Sequence, residues 1–303
     1  MTGPAIAKLK RRCRAHPAII GLASAILAPA ILALAALALA GCTTIGNPPA
    51  AEQNDPRYTT AQFNLTSLSE TIEKHPDDPQ AYNMRGSVLA EAGHLEQAVA
   101  DFNKAISLDP NYAQAYANRG LLYRRNGKLE LALADYNKSL SIDGNYAPAY
   151  LGRGIVYRQQ GRTVQALSDF NKAIALKPDN GQAYYNRGLL YQGQRQYQFA
   201  IDDFSTALGL TTQKTEPYVA RALSYLAIGD AKSAASDLDE AVQLAPNNLQ
   251  AWTSRGLAYE RLGQKEKAAG SYAKALNINE KYEVARAGFA RVGGKAGQSY
   301  QTF

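Results

Sequence analysis

The sequence predicts an all-α chain in which one helical hairpin, repeated six times, stacks into an α-solenoid behind an amino-terminal signal segment. Three columns of residues carry this expectation. Arg85, Arg119, Arg153, Arg187, Arg221 and Arg255 stand 34 residues apart, and Gly follows each except Arg221, which Ala222 follows. An aromatic column (Tyr82, Tyr116, Tyr150, Tyr184, Tyr218, Trp252) and an alanine column (Ala98, Ala132, Ala166, Ala200, Ala234, Ala268) keep the same period. A fixed period of this length marks a solenoid, in which each unit buries its apolar face only against its neighbours. Six copies tile residues 79–282.

Residues 1–41 read as a signal segment. Lys8, Lys10, Arg11, Arg12 and Arg14 precede an apolar run from Ala18 to Ala40, which ends in Leu39-Ala40-Gly41-Cys42. A basic start, an apolar stretch and small residues before a cut are the parts of a secretion signal. The run is also about long enough to stay as an uncleaved bilayer anchor. Under either reading the basic flank stays in the cytoplasm and the chain after Cys42 crosses the membrane. The four residues ending at Cys42 resemble the lipobox of bacterial lipoprotein signal peptides. That resemblance implies that Cys42 becomes the first mature residue and that its thiol carries the lipid, Ala40 and Gly41 leaving room for a peptidase.

Loss of the leader removes five basic residues, leaving 28 Lys and Arg against 26 Asp and Glu, so the body carries about +2 where the whole chain carries +7. Charge then gives no case for a nucleic-acid partner. Cys13, the only other Cys, lies in the leader, so the mature chain has no pair of thiols to bridge. Residues 42–56, with Pro48, Pro49 and Asp55-Pro56, have little to bury and read as a flexible tether.

Residues 57–78 match the second half of a repeat, with Leu68 and Pro76 in register, and are expected to cap the amino end. Each full copy then holds two short helix patterns, such as AYANRGLLYRRNG followed by LELALADYNKSLSI. Apolar positions recur three and four apart in both, and Gly93, Gly127, Gly161, Gly229 and Gly263 break the helix between them. Small residues such as Gly86 and Ala98 permit close helix approach, while Tyr82, Leu89, Phe102 and Ala105 are the expected filling. The nineteen Tyr mostly fall in such packing columns, so core is the expected place for them. Residues 283–303 are expected to form a carboxyl-terminal capping helix followed by a frayed tail.

With its small and large columns in register, this hairpin resembles the tetratricopeptide repeat. The resemblance implies a right-handed superhelix whose first helices line a concave groove. Two departures stand out. The family's usual Leu before the Gly is Arg in all six copies, and an acid stands 16 residues later in five: Asp101, Asp135, Asp169, Asp203 and Asp237. A half-buried guanidinium needs an acceptor, so Arg85, Arg119, Arg153, Arg187 and Arg221 are expected to form an ion-pair ladder with those acids. Repeat six has Ser271 there, and Arg255 must find another partner. Repeat four replaces the turn Gly with Arg195, and repeats four and six close on Thr212 and Glu280 where Pro is usual, so looser turns are expected there.

No catalytic or metal-binding set is expected, and no cofactor. His75 and His94 have no second His or Cys at ligand spacing, and no Gly-x-Ser-x-Gly elbow occurs. Gly120 to Lys128 lacks the glycine spacing of a phosphate loop and is followed by Leu129. Asp237 and Asp239 project from different faces of a helix, which spoils a cation site.

Binding is expected in the groove that the resemblance implies. Its positions fall on Asn83 and Ser87; on Ala117, Leu121, Arg124 and Arg125; on Leu151, Ile155, Arg158 and Gln159; on Tyr185, Leu189 and Gln192; and on Val219 and Leu223. An apolar floor with a basic wall fits a partner helix or extended peptide with apolar anchors and some acidic character, or a second copy of the chain; the alternative is a superhelix closed enough to bury the strip against itself. Lipobox and repeats together resemble the envelope lipoproteins that hold peptidoglycan hydrolases and a protease together, which implies a non-catalytic adaptor, periplasm-facing and at the outer membrane. The alternative is an assembly factor resembling pilotin lipoproteins or a component of outer-membrane protein assembly.

Overall fold

The computed structural model describes residues 56–211, 214–295 and 300, with side chains from Phe63 onward. The signal segment, Cys42, the tether and Thr212 lie outside the described residues. Helix α1 (Pro56–Lys74) precedes the repeats. The first helices of the six copies are α2 (Pro79–Glu91), α4 (Ala113–Arg125), α6 (Ala147–Gln159), α8 (Gly181–Gly193), α10 (Thr215–Ala227) and α12 (Leu249–Arg261). Their second helices are α3 (Leu95–Leu108), α5 (Leu129–Ile142), α7 (Thr163–Leu176), α9 (Tyr197–Leu210), α11 (Ala231–Leu244) and α13 (Lys265–Ile278), and α14 (Glu283–Arg291) closes the series. No strand occurs among the described residues.

Local chemistry sets the helix ends. Asp78, Asn180, Asp230 and Asn248 each accept a backbone N–H of the first turn, satisfying a donor the helix leaves free. Between the helices of a hairpin, five turn glycines adopt φ from +70° to +88°, a conformation that costs other residues about 1–2 kcal/mol. Arg195 takes the same left-handed conformation, φ 60°, and Gln196 N–H still reaches Tyr191 O at 2.9 Å, as His94 reaches Leu89 at 2.8 Å. The turn of repeat four is therefore as closed as the others, correcting the looser turn expected there: the bonds of Arg195 N–H to Gln192 O and of Gln196 N–H to Tyr191 O hold the Arg backbone in place. The end of repeat six is also ordinary, with Tyr282 N–H on Asn279 O at 3.1 Å.

Helices within a hairpin pack through the small columns. A Cβ on Gly86 would sit 2.9 Å from the Phe102 ring and 3.2 Å from Ala98 O, so the side chain at this crossing must be hydrogen. Each second helix lies on the first helix of the next copy, and successive first helices also touch, α2 on α4, α4 on α6 and onward, whereas second helices of neighbouring copies do not meet. Closer spacing on one side bends the stack, and the first helices therefore line its concave face. At the amino end α1 lies on α2; at the other, α14 packs on α12 and α13. Beyond α14, where fraying was expected, Tyr300 returns to set its ring edge-on against Phe289 at 5.7 Å.

The arginine column runs through this stack. Arg85, Arg119, Arg153, Arg187 and Arg221 each give Nε and Nη2 to both oxygens of the Asp 16 residues on, at 2.7–2.8 Å. Their Nη1 reaches 16 residues back, to Ser69, Asn103, Asn137, Asn171 and Ser205. One guanidinium thus ties three consecutive helices, and the Asp hydrogen bond is the largest reason all five are raised above the ordinary arginine value. In repeat six the acid has changed sides: Arg255 donates to Asp239, 16 residues back, at 2.6 Å and to Ser271 ahead at 3.0 Å. Most of the aromatic column is half-buried beside the ladder instead of filling the core; Arg153, for example, lies between the rings of Tyr150 and Tyr157 at 5.6 and 5.7 Å. Stacking on a cation and wetting the hydroxyl satisfies both ends of such a Tyr.

Candidate functional site

The concave faces of repeats two and three form a recess of about 470 Å³. Helix α4 supplies Ala117, Leu121, Arg124 and Arg125 to it, and α6 supplies Leu151, Ile155, Arg158 and Gln159, so eight of the expected groove residues meet here. No Asp or Glu lines it. Asn118, Tyr136, Gly152, Gln182 and Asn186 line it as well; the sequence reading missed these, although Asn118 and Asn186 share one column at the 34-residue period.

The other expected residues are placed differently. Ser87 lines a smaller recess of about 140 Å³ toward the amino end, which shares Asn118, Leu121 and Arg125 with the larger one. Asn83 is buried beside it, giving Nδ2 to the Tyr112 hydroxyl and accepting from Asn118. Tyr185 lines a third recess, about 410 Å³, with Gln182, Lys214 and Glu216. Leu189 is half-buried against Phe204 and Ala220, and Gln192 spends its amide on Ala220 O and Ser224 Oγ at 2.9 Å. Val219 is buried at 6% exposure, and Leu223 packs on the same core. The continuous strip expected from repeat one to repeat five is therefore corrected: at repeat five it becomes interior, because α10 and α12 bring their apolar residues together.

Electrostatics single out the larger recess. The Nε of Arg124 and of Arg158 are buried with no hydrogen-bond partner, and the Tyr136 hydroxyl is likewise buried and unbonded. Arg158 has one long contact, Nη2 to Asn186 at 3.4 Å. Burial lowers the Arg158 guanidinium below its ordinary value, opposed by Tyr185 and aided by repulsion from Arg124. Burial likewise pushes the Tyr136 phenol up, with the Arg124 charge opposing it. Gly152 makes room for that phenol, since a Cβ there would stand 2.6 Å from its oxygen. Among the described residues no group of three His, Cys, Asp or Glu could hold a metal ion, and no helix is long and apolar enough to cross a membrane.

Hairpins of this length, stacked with first helices inward, define a helical-repeat solenoid. Tetratricopeptide-repeat models match residues 68–100, 86–127, 113–146, 154–195, 181–213 and 219–287, together most of the chain, and the chain belongs to the tetratricopeptide-repeat family. Such proteins are generally non-catalytic scaffolds that bind peptides or other proteins. The chain is similar to YrrB, a tetratricopeptide-repeat protein with an unusual peptide-binding site: 28% identity, TM-score 0.54, covering 61% of this chain and 96% of that one. It resembles MamA at 28% identity and TM-score 0.50, over 56% of this chain and 93% of that one. The Cut9–Hcn1 hetero-tetramer of the APC/C shares the fold at 18% identity and TM-score 0.67, over 77% of this chain, which spans 46% of that chain's length. Pseudomonas aeruginosa PilF shares it at 20% and 0.65, over 70% of this chain and 97% of that one. With 388 solved chains matching, the fold by itself selects no process. No curated protein matches.

Proposed function

We propose that this chain is a non-catalytic adaptor lipoprotein of the bacterial cell envelope, facing the periplasm, anchored through Cys42 and sorted to the outer membrane. Its concave face takes peptide or helical segments of partner proteins such as cell-wall hydrolases or a protease. The observation that carries the binding reading is the open recess of α4 and α6, which combines half-buried Leu121, Leu151 and Ile155 with guanidinium groups that no acid among the described residues neutralises. Apolar side chains held at an open surface beside unmatched cations are the features of a recognition site. The peptide-binding site of YrrB supports the same reading by likeness. The leader, with its basic start and Leu39-Ala40-Gly41-Cys42, supports the location.

The test is co-purification from crosslinked envelopes, comparing wild type with a Leu121→Glu, Ile155→Glu variant. Soluble wall enzymes recovered with wild type, and lost with a variant of unchanged helicity, are the expected result. Recovery of secretins, pilus parts or barrels would replace the adaptor by an assembly factor, and recovery of the chain alone as a dimer would make the recess a self-association surface. A lipid label absent from Cys42 would remove the anchor.

A further inference from the structure

The twelfth residue of each copy forms a column through the concave face: Ala90, Arg124, Arg158, Gln192, Leu226 and Glu260. Leu226 is buried in the core, Gln192 is bonded to α10, and Glu260 accepts from Tyr272 at 2.7 Å and from both Nε and Nη2 of Arg291 at 2.8 and 2.9 Å. Every polar member of the column is thus matched by the chain itself except the two arginines, whose Nε atoms are buried without an acceptor.

A second column points to the same place. Leu68, Phe102, Phe170, Phe204 and Leu238 occupy the position that is Tyr only at 136 and 272. The residue 16 further on is Gly only after these two tyrosines, Gly152 and Gly288, and in both cases a Cβ would run into the phenol. At Tyr272 the hydroxyl admitted by that gap donates to the Glu260 carboxylate, beside the Arg291 fork. At Tyr136 the hydroxyl has no hydrogen-bond partner and lies within reach of the Arg124 charge, and no carboxylate lines the recess. The chain's own carboxyl end therefore displays what a Tyr hydroxyl and an arginine fork hold when an acid is supplied.

We propose that Arg124, Arg158 and Tyr136 form a carboxylate subsite that binds one Asp or Glu side chain of a partner segment lying along the concave face. Three unmatched donors in a recess without acids cost stability until an anion accepts from them, and charge-assisted bonds to a carboxylate are the strong ones. The recess opens toward Ser87 at one side and, through Gln182, toward Tyr185 at the other, so the segment passes through and presents a side chain, not a chain end. The proposal rests on the concave-face reading above and adds the partner's chemistry to it.

The experiment is fluorescence anisotropy with the full chain in detergent and an amidated, labelled peptide of alternating Ser and Leu with one central Glu, against the same peptide with Gln. The Glu peptide is expected to bind about tenfold more tightly, the worth of roughly one charge-assisted bond. Arg158→Gln and Tyr136→Phe are each expected to erase most of that preference, read as the ratio of the two peptides' affinities for the same variant. Tyr136→Phe keeps the residue used at 102, 170 and 204, so its fold is safeguarded. Equal affinity for both peptides, with binding lost in Leu121→Glu, Ile155→Glu, overturns the carboxylate subsite and leaves the groove standing. Absence of binding for both, or binding indifferent to that double variant, overturns the groove as well. A central phosphoserine that binds more than about tenfold above Glu overturns the carboxylate assignment in favour of a phosphate site.

Discussion

Repeats two and three and repeats five and six use the same columns of residues and reach opposite results on the concave side. In α4 and α6 the twelfth residues are Arg124 and Arg158, and a recess of about 470 Å³ remains beside them. In α10 the same position is Leu226, 4% exposed, and Val219, Trp252 and Tyr259 join it in one cluster that runs from α10 to α14. The earlier copies hold smaller clusters, each confined to adjacent hairpins. A single solenoid can therefore divide its length into a part that supplies cohesion and a part that keeps a surface open. The division follows substitutions at several columns, Leu226 for Arg124 and Val219 for Ala117 among them, since contacts in such a stack are with nearest neighbours only.

The contrast can be broken by mutation. Leu238→Ala, in the continuous cluster and fully buried, is expected to lose about 3 kcal/mol, against about 1 kcal/mol for Leu151→Ala at the recess, because only the first leaves a sealed cavity. Urea midpoints followed by circular dichroism measure both, and equal losses would mean that the recess is as tightly packed as the cluster. Arg153→Leu is next, at about 2–3 kcal/mol, since it strands Asp169 with its side chain 6% exposed. Changing Asp169 to Leu as well is expected to restore most of that loss, and a double variant no better than the single one would show that the ladder is not a paired unit. The smallest effect is expected at the recess itself: Arg124→Leu, the residue repeat five uses, should leave stability unchanged or raise it by up to about 1 kcal/mol, because it removes an unmatched buried donor. A loss as large as that of Arg153→Leu would give Arg124 a structural partner and close the comparison.

The difference between the two regions also marks how far the sequence could be read. Helix positions and the turns that carry glycine were legible, because a 34-residue period and glycine placement are local signals; the closed turn at Arg195 was not. So was the need of Arg153 for an acid. That the same guanidinium also reaches Asn137 was not, because that bond joins residues of different copies. Nor was the exchange in repeat six, where Asp239 takes the role Asp237 plays for Arg221. Its sign was present in the column Ser69, Asn103, Asn137, Asn171, Ser205, Asp239, whose last member alone is charged. At the site, Leu121, Ile155 and Arg158 followed from their place in the copy, whereas Tyr136 falls in a packing column and Gly152 in none of the columns read, since three-dimensional proximity is what reveals a phenol passing through a missing Cβ.

What the sequence determined by itself is the repeated hairpin, its count, its register and the pairing chemistry of the ladder, because these depend on spacing along one chain and on which side chains carry opposite charge. Tertiary structure decided which groove positions stay open, which become core, and which polar atoms are left without a partner. Those outcomes depend on which side chains meet where successive first helices face one another, and so on all the side chains there at once.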